Sequence, residues 1–141
     1  MSRSIILVLA LLLSSASKAA RLEVEIKNTQ GKGKITCGLY ENKEGFPSDS
    51  KKAKFVVDGL RNDATKAVCK FVDVANGTYA VSAREDVNEN GKMDTTFVGF
   101  PKEPWGVSND APMHTFGPPE FQEAAFKIEN DKTISIQLNR K

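Results

Sequence analysis

Residues 66–86 read KAVCKFVDVANGTYAVSARED, and this stretch indicates the fold class. Apolar side chains recur at every second position on both sides of the ANG turn, at Cys69 and Phe71 before it and at Tyr79 and Val81 after it. This period is typical of a strand that buries one face. The stretch therefore predicts two strands joined by a short turn.

Five further segments have the same period or a strand-forming composition. They are RLEVEIK, KITCGLY, AKFVVDG, AAFKIEN and TISIQLN, at residues 21–27, 34–40, 53–59, 124–130 and 133–139. Asn130 and Asp131 separate the last two segments and predict a hairpin there. No segment has a long helical period, so we predict an all-β fold, a seven-stranded antiparallel β-sandwich made of two sheets.

Residues 1–19 have the composition of a secretory signal peptide. Arg3 supplies a charged start, residues 5–13 are unbroken apolar, and small residues lead to a cleavage position after Ala19. The apolar run is too short for a bilayer, which takes roughly 20 residues. We therefore expect an exported protein without a membrane span, periplasmic or extracellular, in which residues 20–141 form a single domain.

The charge balance of the exported form bears on its partners. The chain has 20 Lys and Arg against 18 Asp and Glu, and removal of Arg3 and Lys18 leaves 18 against 18. A protein of zero net charge has no electrostatic attraction to nucleic acid or to an anionic membrane surface. We expect no nucleic-acid partner, while an extracellular or envelope glycan or protein stays open as a partner.

Cys37 and Cys69 are the only cysteines in the chain. An exported protein meets an oxidising compartment, where an even pair of cysteines predicts one disulfide. The alternative is two separate buried thiols, because free cysteine packs like a small hydrophobic side chain.

The segment DVNENGKMD, residues 86–94, places oxygen-bearing side chains at alternate positions ahead of a glycine. The candidate ligands are Asp86, Asn88, Asn90, the backbone carbonyl of Lys92, and Asp94. Counted from the first aspartate, they occupy positions 1, 3, 5, 7 and 9 of a calcium-binding EF-hand loop, with glycine at position 6. The spacing therefore predicts a calcium site.

The same segment also departs from the EF-hand pattern. Position 12, where EF-hands have a bidentate glutamate, is Phe97, and the flanking segments have no helical period. With few formal charges we expect a weak, structural site, with a Kd on the order of 10⁻⁴–10⁻³ M. The alternative is a metal-free turn, since Asn and Asp bond to their own backbone and Asn-Gly is a favoured turn pair.

Residues 97–121 are predicted to form a long loop rich in proline and aromatic residues, placed before the last two strands. They contain five of the six prolines, the only tryptophan and four of the eight phenylalanines. Such long loops are uncommon in compact domains unless they are functional or disordered, and the aromatic content argues against disorder. We predict a helical turn at PPEFQEA, residues 118–124, since proline suits the first helical position.

Two roles are open for the aromatic side chains of this loop. They could form a platform for a glycan or a peptide, or they could cover one end of the sandwich and be buried. We expect burial for Phe116 and Phe121, whereas both roles stay open for Trp105. The candidate ligand-binding residues are Phe100, Glu103, Trp105, Ser108 and Asn109.

Residue types suited to catalysis are few. His114 is the only histidine, which excludes a histidine-rich metal site. Ser108, Asp110 and His114 have the residue types of a hydrolytic triad, but a triad needs a specific geometry that one polar loop seldom provides. We therefore expect no enzymatic activity.

Between residues 38 and 128 the chain carries three long motifs: GLYENKEGFPSD, NGTYAVSAREDVNENGKMDTTFVGFPKEPWGVSND and FGPPEFQEAAFKI. They resemble the bacterial exported proteins grouped as domain of unknown function family 2141. The matching positions are residues 77–80, 86–94, 99–103, 105–109 and 117–126. The resemblance implies an immunoglobulin- or transthyretin-like β-sandwich and implies no established activity.

Overall fold

The computed structural model describes residues 19–97 and 99–140. The predicted signal peptide therefore lies outside the described residues, apart from Ala19. The first strand begins at Ala20, directly after the predicted cleavage position. The strands found in the described part of the chain are β1 (Ala20–Lys27), β2 (Lys34–Tyr40), β3 (Phe55–Asp58), β4 (Leu60–Arg61), β5 (Lys66–Val74), β6 (Gly77–Asp86), β7 (Trp105–Val107), β8 (Phe126–Ile128) and β9 (Lys132–Gln137).

The strands form two sheets. The first sheet has the order β4-β5-β1-β9, and the second has the order β3-β2-β6-β7, with β8 also paired to β6. The all-β, two-sheet arrangement predicted from the sequence is thereby confirmed. β6 is central to the second sheet, because it pairs with β2 on one side and with both β7 and β8 on the other.

The core lies between the two sheets and follows the alternation seen in the sequence. In β1 the side chains of Leu22, Val24 and Ile26 are buried, while the charged residues between them are exposed. They pack with Val81 and Ala83 of β6 in one apolar cluster. Burial of each large aliphatic side chain stabilises the fold by about 1.5–3 kcal/mol.

A disulfide joins the two sheets through this core. Cys37 of β2 and Cys69 of β5 are bonded, with their Cα atoms 6.4 Å apart, and both side chains are buried. The predicted bridge is confirmed, and its two ends lie in different sheets.

The predicted hairpin near the chain end is wrong. β8 pairs with β6 in the second sheet, whereas β9 runs parallel to β1 in the first, so the strictly antiparallel expectation is also wrong. Asn130 and Asp131 carry the chain from one sheet to the other, and the Asp131 carboxylate accepts a hydrogen bond from the Arg21 N–H at 2.9 Å. Each segment has one apolar face, which either sheet can bury.

Two short strands raise the number from seven to nine among the described residues. β4 has two residues and β7 has three, which is too short for a period to show in the sequence. β7 and the helix α1 (Phe121–Ala124) both interrupt the long loop predicted for 97–121. The helix confirms the predicted helical turn. No helix in the described part of the chain is long and apolar enough to cross a membrane.

Replacing both cysteines, in Cys37→Ala/Cys69→Ala, should lower the free energy of unfolding. Loss of a cross-link across a sequence separation of 32 residues frees the unfolded chain and costs about 3–4 kcal/mol. Urea denaturation of both proteins with and without reductant measures this. Reductant should lower the urea midpoint of the parent protein and leave that of the variant unchanged. Equal midpoints of the two proteins under oxidising conditions would contradict the prediction.

Candidate functional site

The segment 86–94 starts where β6 ends. The Asp86 carboxylate is buried beneath the loop and accepts hydrogen bonds from the N–H groups of Asn90 at 3.2 Å and of Gly91 at 2.7 Å. Glu89 and Gly91 have φ angles of 54° and 77°, which turn the chain sharply around this carboxylate. Asp86 therefore fixes the loop from within.

The side chains at alternate positions of the loop meet at one point. The side-chain amides of Asn88 and Asn90 donate to the two carboxylate oxygens of Asp94, at 2.6 and 2.8 Å. These hydrogen bonds lower the pKa of Asp94, so it stays ionised. The Lys92 N–H donates to the Asn90 side-chain oxygen at 3.1 Å. Asn88, Asn90 and Asp94 thus converge, whereas the carboxylate of Asp86, the first predicted ligand, is engaged by backbone N–H groups.

Glu103 reaches the same loop from a later part of the chain. An isolated bridge between Thr95 and Pro101 folds the chain back, and the Glu103 carboxylate accepts the N–H groups of Val87 at 2.6 Å and Asp94 at 3.1 Å. Glu103 as a whole is 8% exposed. The sequence suggested Glu103 as a ligand-binding residue of the loop 97–121. The structure instead places its carboxylate against residues 86–94, which we call the Asp/Asn loop.

The electrostatics of Glu103 reflect this crowding. Burial raises the pKa of Glu103, and the negative charges of Asp86 and Asp94 raise it further. No group of three or more His, Cys, Asp or Glu among the described residues is arranged to hold a metal ion. A cation here would need amide and carbonyl oxygens beside the carboxylates, which is the mixed set that calcium accepts.

Glu85, one residue before the loop, has a different role. Its carboxylate is fully buried and accepts the N–H groups of Gln30 at 2.7 Å and Lys32 at 2.9 Å, and the Arg61 guanidinium lies 3.4 Å away. These contacts tie the end of β6 to the turn between β1 and β2. No pattern in the sequence indicated this role for Glu85.

A groove lies beside the Asp/Asn loop, on the outer face of the second sheet. We call it the outer groove; its volume is about 800 Å³, its floor includes Ser82 and Ala83 of β6, and its walls come from residues 92–95, 99–101 and 113–118. Trp105 is half-buried and lines it. The other main apolar contacts come from Met93, Phe100, Pro101, Met113 and Phe116.

The aromatic residues of the long loop take different positions. Phe116 is 101% exposed at the tip of a tight turn closed by a bridge between His114 and Gly117, so its expected burial is wrong. Phe121 is half-buried and contacts the edge of the Phe46 ring, with centroids 5.9 Å apart. The turn carries Phe116 away from the core, whereas α1 holds Phe121 against it.

Ser108 and Asn109 attach α1 to the second sheet. The fully buried Ser108 hydroxyl accepts the Val81 N–H at 2.9 Å and donates to the Ala124 carbonyl at 2.5 Å. The Asn109 amide donates to the carbonyls of Glu123 and Ala125. Both were candidate ligand-binding residues, but these contacts use the Ser108 hydroxyl and the Asn109 amide inside the fold.

Ser108, Asp110 and His114 do not form a triad. Asp110 accepts the Gln137 N–H at 2.9 Å, and His114 lies 2.7 Å from the Glu123 carboxylate. Neither contact involves the buried Ser108 hydroxyl. Hydrogen bonding to Glu123 raises the pKa of His114, and the negative charge of Glu123 adds to this. The three residues thus have three separate structural partners.

Replacing Ser108 with alanine should destabilise the fold. Val81 would keep a buried N–H with no acceptor from this side chain, which costs about 1–3 kcal/mol. Chemical denaturation measures the loss, and Ser135→Ala, at an exposed position of β9, is the matched control that should change little. Equal effects in the two variants would contradict the structural role of Ser108.

Comparison with known proteins gives one finding. The family described as "Uncharacterized protein conserved in bacteria (DUF2141)" matches residues 24–136, a span that runs from β1 to β9 and contains the Asp/Asn loop and the outer groove. No curated protein and no solved structure matches the chain. The chain therefore belongs to the uncharacterized bacterial family DUF2141, as the sequence motifs predicted.

Proposed function

We propose that this protein is an exported, non-catalytic β-sandwich domain that binds calcium in the loop after β6 and is stabilised by it. The observation that carries the proposal is the convergence of Asn88 and Asn90 on Asp94, at 2.6 and 2.8 Å. Rotation of each amide by half a turn would present its oxygen in place of its nitrogen. Three alternate side chains would then offer oxygens to one cation.

The surroundings of the loop support this proposal. Asp86 holds the turn from beneath, and Glu103 stands against it with a carboxylate that has two negative neighbours. A divalent cation would offset the repulsion among these carboxylates and join the end of β6 to the chain that returns toward β7. The expected role is structural, because the candidate ligands hold a loop and no reactive group stands among them.

Two features support export. A disulfide buried between the sheets is typical of proteins that fold in an oxidising compartment. β1 begins at Ala20, next to the predicted cleavage position. A periplasmic or extracellular location and an immunoglobulin- or transthyretin-like classification of the two sheets belong to the same proposal.

Calcium should raise the melting temperature of residues 20–141. Binding to the folded state alone stabilises by RT ln(1 + [L]/Kd), about 2.7 kcal/mol at a hundredfold excess, which shifts the midpoint by several degrees. Asp94→Asn should remove most of the shift, because it removes one carboxylate from the point where the side chains converge. Thermal unfolding with millimolar calcium and with chelator measures both effects.

Asp58→Asn is the matched control for this measurement. Asp58 is exposed on β3 and forms a surface ion pair with Lys34, so the same chemical change should leave the calcium shift intact. Melts in chelator separate any loss of stability that is unrelated to calcium. An unchanged shift in Asp94→Asn, or none in the parent protein, would contradict calcium binding at this loop.

A second candidate function is binding of a peptide or a glycan in the outer groove. The specific observation in its favour is an open hollow of about 800 Å³ beside the half-buried Trp105, in the size range of small-ligand sites. Phe116 lines this hollow with its ring fully exposed, so the ring is placed to contact a ligand.

Phe116→Ser should weaken binding of such a ligand several-fold, since an aromatic contact contributes about 0.5–1.5 kcal/mol. The matched control is Phe97→Ser, because Phe97 is 106% exposed and does not line the groove. Titration of each variant with short peptides and oligosaccharides, monitored through the fluorescence of Trp105, measures the change in affinity. Equal affinities in both variants would argue against the groove as the site.

A further inference from the structure

We infer that the outer groove binds an extended peptide in which apolar or proline residues flank an acidic side chain. This inference rests on the second candidate function and narrows it to one class of ligand. It does not depend on calcium.

The apolar lining of the groove supports a peptide with hydrophobic side chains. Two thioethers, Met93 and Met113, face the groove with the rings of Trp105 and Phe116. Methionine adapts its shape to different partners, and aromatic faces beside prolines suit extended, proline-rich chains. Desolvation of this surface by apolar side chains would supply most of the binding energy.

The charges around the groove support an acidic group in the ligand. Lys92 lines the groove, and no Asp or Glu does so among the described lining residues. Arg84 stands opposite Trp105 in the register of β6 and β7 and lines a small hollow that shares Ser82 and Met93 with the groove. None of the ion pairs within the described residues includes Lys92 or Arg84, although the Arg84 guanidinium donates a hydrogen bond to the Gly91 carbonyl at 2.7 Å, which leaves Lys92 as the main cationic group of the groove.

Two acidic side chains of this region lie on the other side of segment 115–118, whereas the carboxylates of Asp94 and Glu103, behind the groove wall, are hydrogen-bonded within residues 86–94. Glu41 and Glu120 line a separate hollow there, next to His114. The segment thus divides a hollow that contains two carboxylates, together with Lys43 and His114, from the outer groove, whose charged lining among the described residues is Lys92. A ligand that carries negative charge is complementary to the outer groove and not to the hollow lined by Glu41 and Glu120.

The polar lining favours a peptide over a glycan. Apart from Lys92 and the indole N–H of Trp105, the polar side-chain groups in the described lining of the groove are the hydroxyls of Ser48, Ser82, Thr95 and Thr115. No Asp, Glu, Asn or Gln side chain lines it among the described residues, so the paired donors and acceptors suited to vicinal sugar hydroxyls are missing from this lining.

The test uses Trp105, the only tryptophan, as the reporter. The probe is an acetylated and amidated peptide of sequence PLPELP, compared with PLPQLP and PLPKLP, with a neutral oligosaccharide and with dodecanoate. All titrations are run with calcium and with chelator. We expect PLPELP to change the emission of Trp105 saturably and to bind more tightly than the glutamine and lysine peptides, with the difference reduced by salt.

Lys92→Gln should weaken PLPELP about 2- to 5-fold and leave PLPQLP unchanged, because it removes one exposed charge pair and little contact area. The control is Lys127→Gln on β8, outside the groove, which should alter neither affinity. Similar binding of all three peptides, or tighter binding of dodecanoate than of PLPELP, overturns the inference. Binding of the oligosaccharide alone overturns it while the second candidate function stands, and binding of no probe counts against both.

Discussion

The buried carboxylate of Glu85 is the constraint on which the rest of the site depends. A carboxylate with no exposure to water is stable only with partners, and removal of them costs about 3–5 kcal/mol. The backbone N–H groups of Gln30 and Lys32 and the Arg61 guanidinium supply these partners. They hold the end of β6 against the turn between β1 and β2, so the loop that starts at Asp86, the last residue of β6, has a fixed origin.

The parts of the fold that the sequence predicted are those encoded by local alternation. β1 shows its buried face directly, since every second residue from Ala20 to Ile26 is apolar, and β5 does so from Ala67 to Phe71. The partners of β8 and β9 were not predictable, because an apolar strand face fits either sheet and the choice is made by contacts distant in sequence. β7 was missed because three residues do not establish a period.

The same distinction applies to the site. The convergence of Asn88, Asn90 and Asp94 follows from alternate spacing and a sharp local turn, and both features are visible in the sequence. Glu103 falls outside any loop pattern counted from Asp86, since a fold-back of the chain brings it there. No local sequence pattern indicates that Glu103 approaches the Asp/Asn loop. The only available signal of its role was a polar residue that follows a proline-rich turn.

The Asp/Asn loop and the outer groove share one piece of chain. Asp94 turns toward Asn88 and Asn90, while Met93 and Thr95 on either side of it line the groove. A loop held in one conformation presents this wall in one conformation, and a binding surface that is already ordered loses less entropy when a ligand arrives. Any interaction that stabilises the loop, whether its own hydrogen bonds or a cation, therefore also orders this wall of the groove. The two proposed sites are connected through residues 93–95.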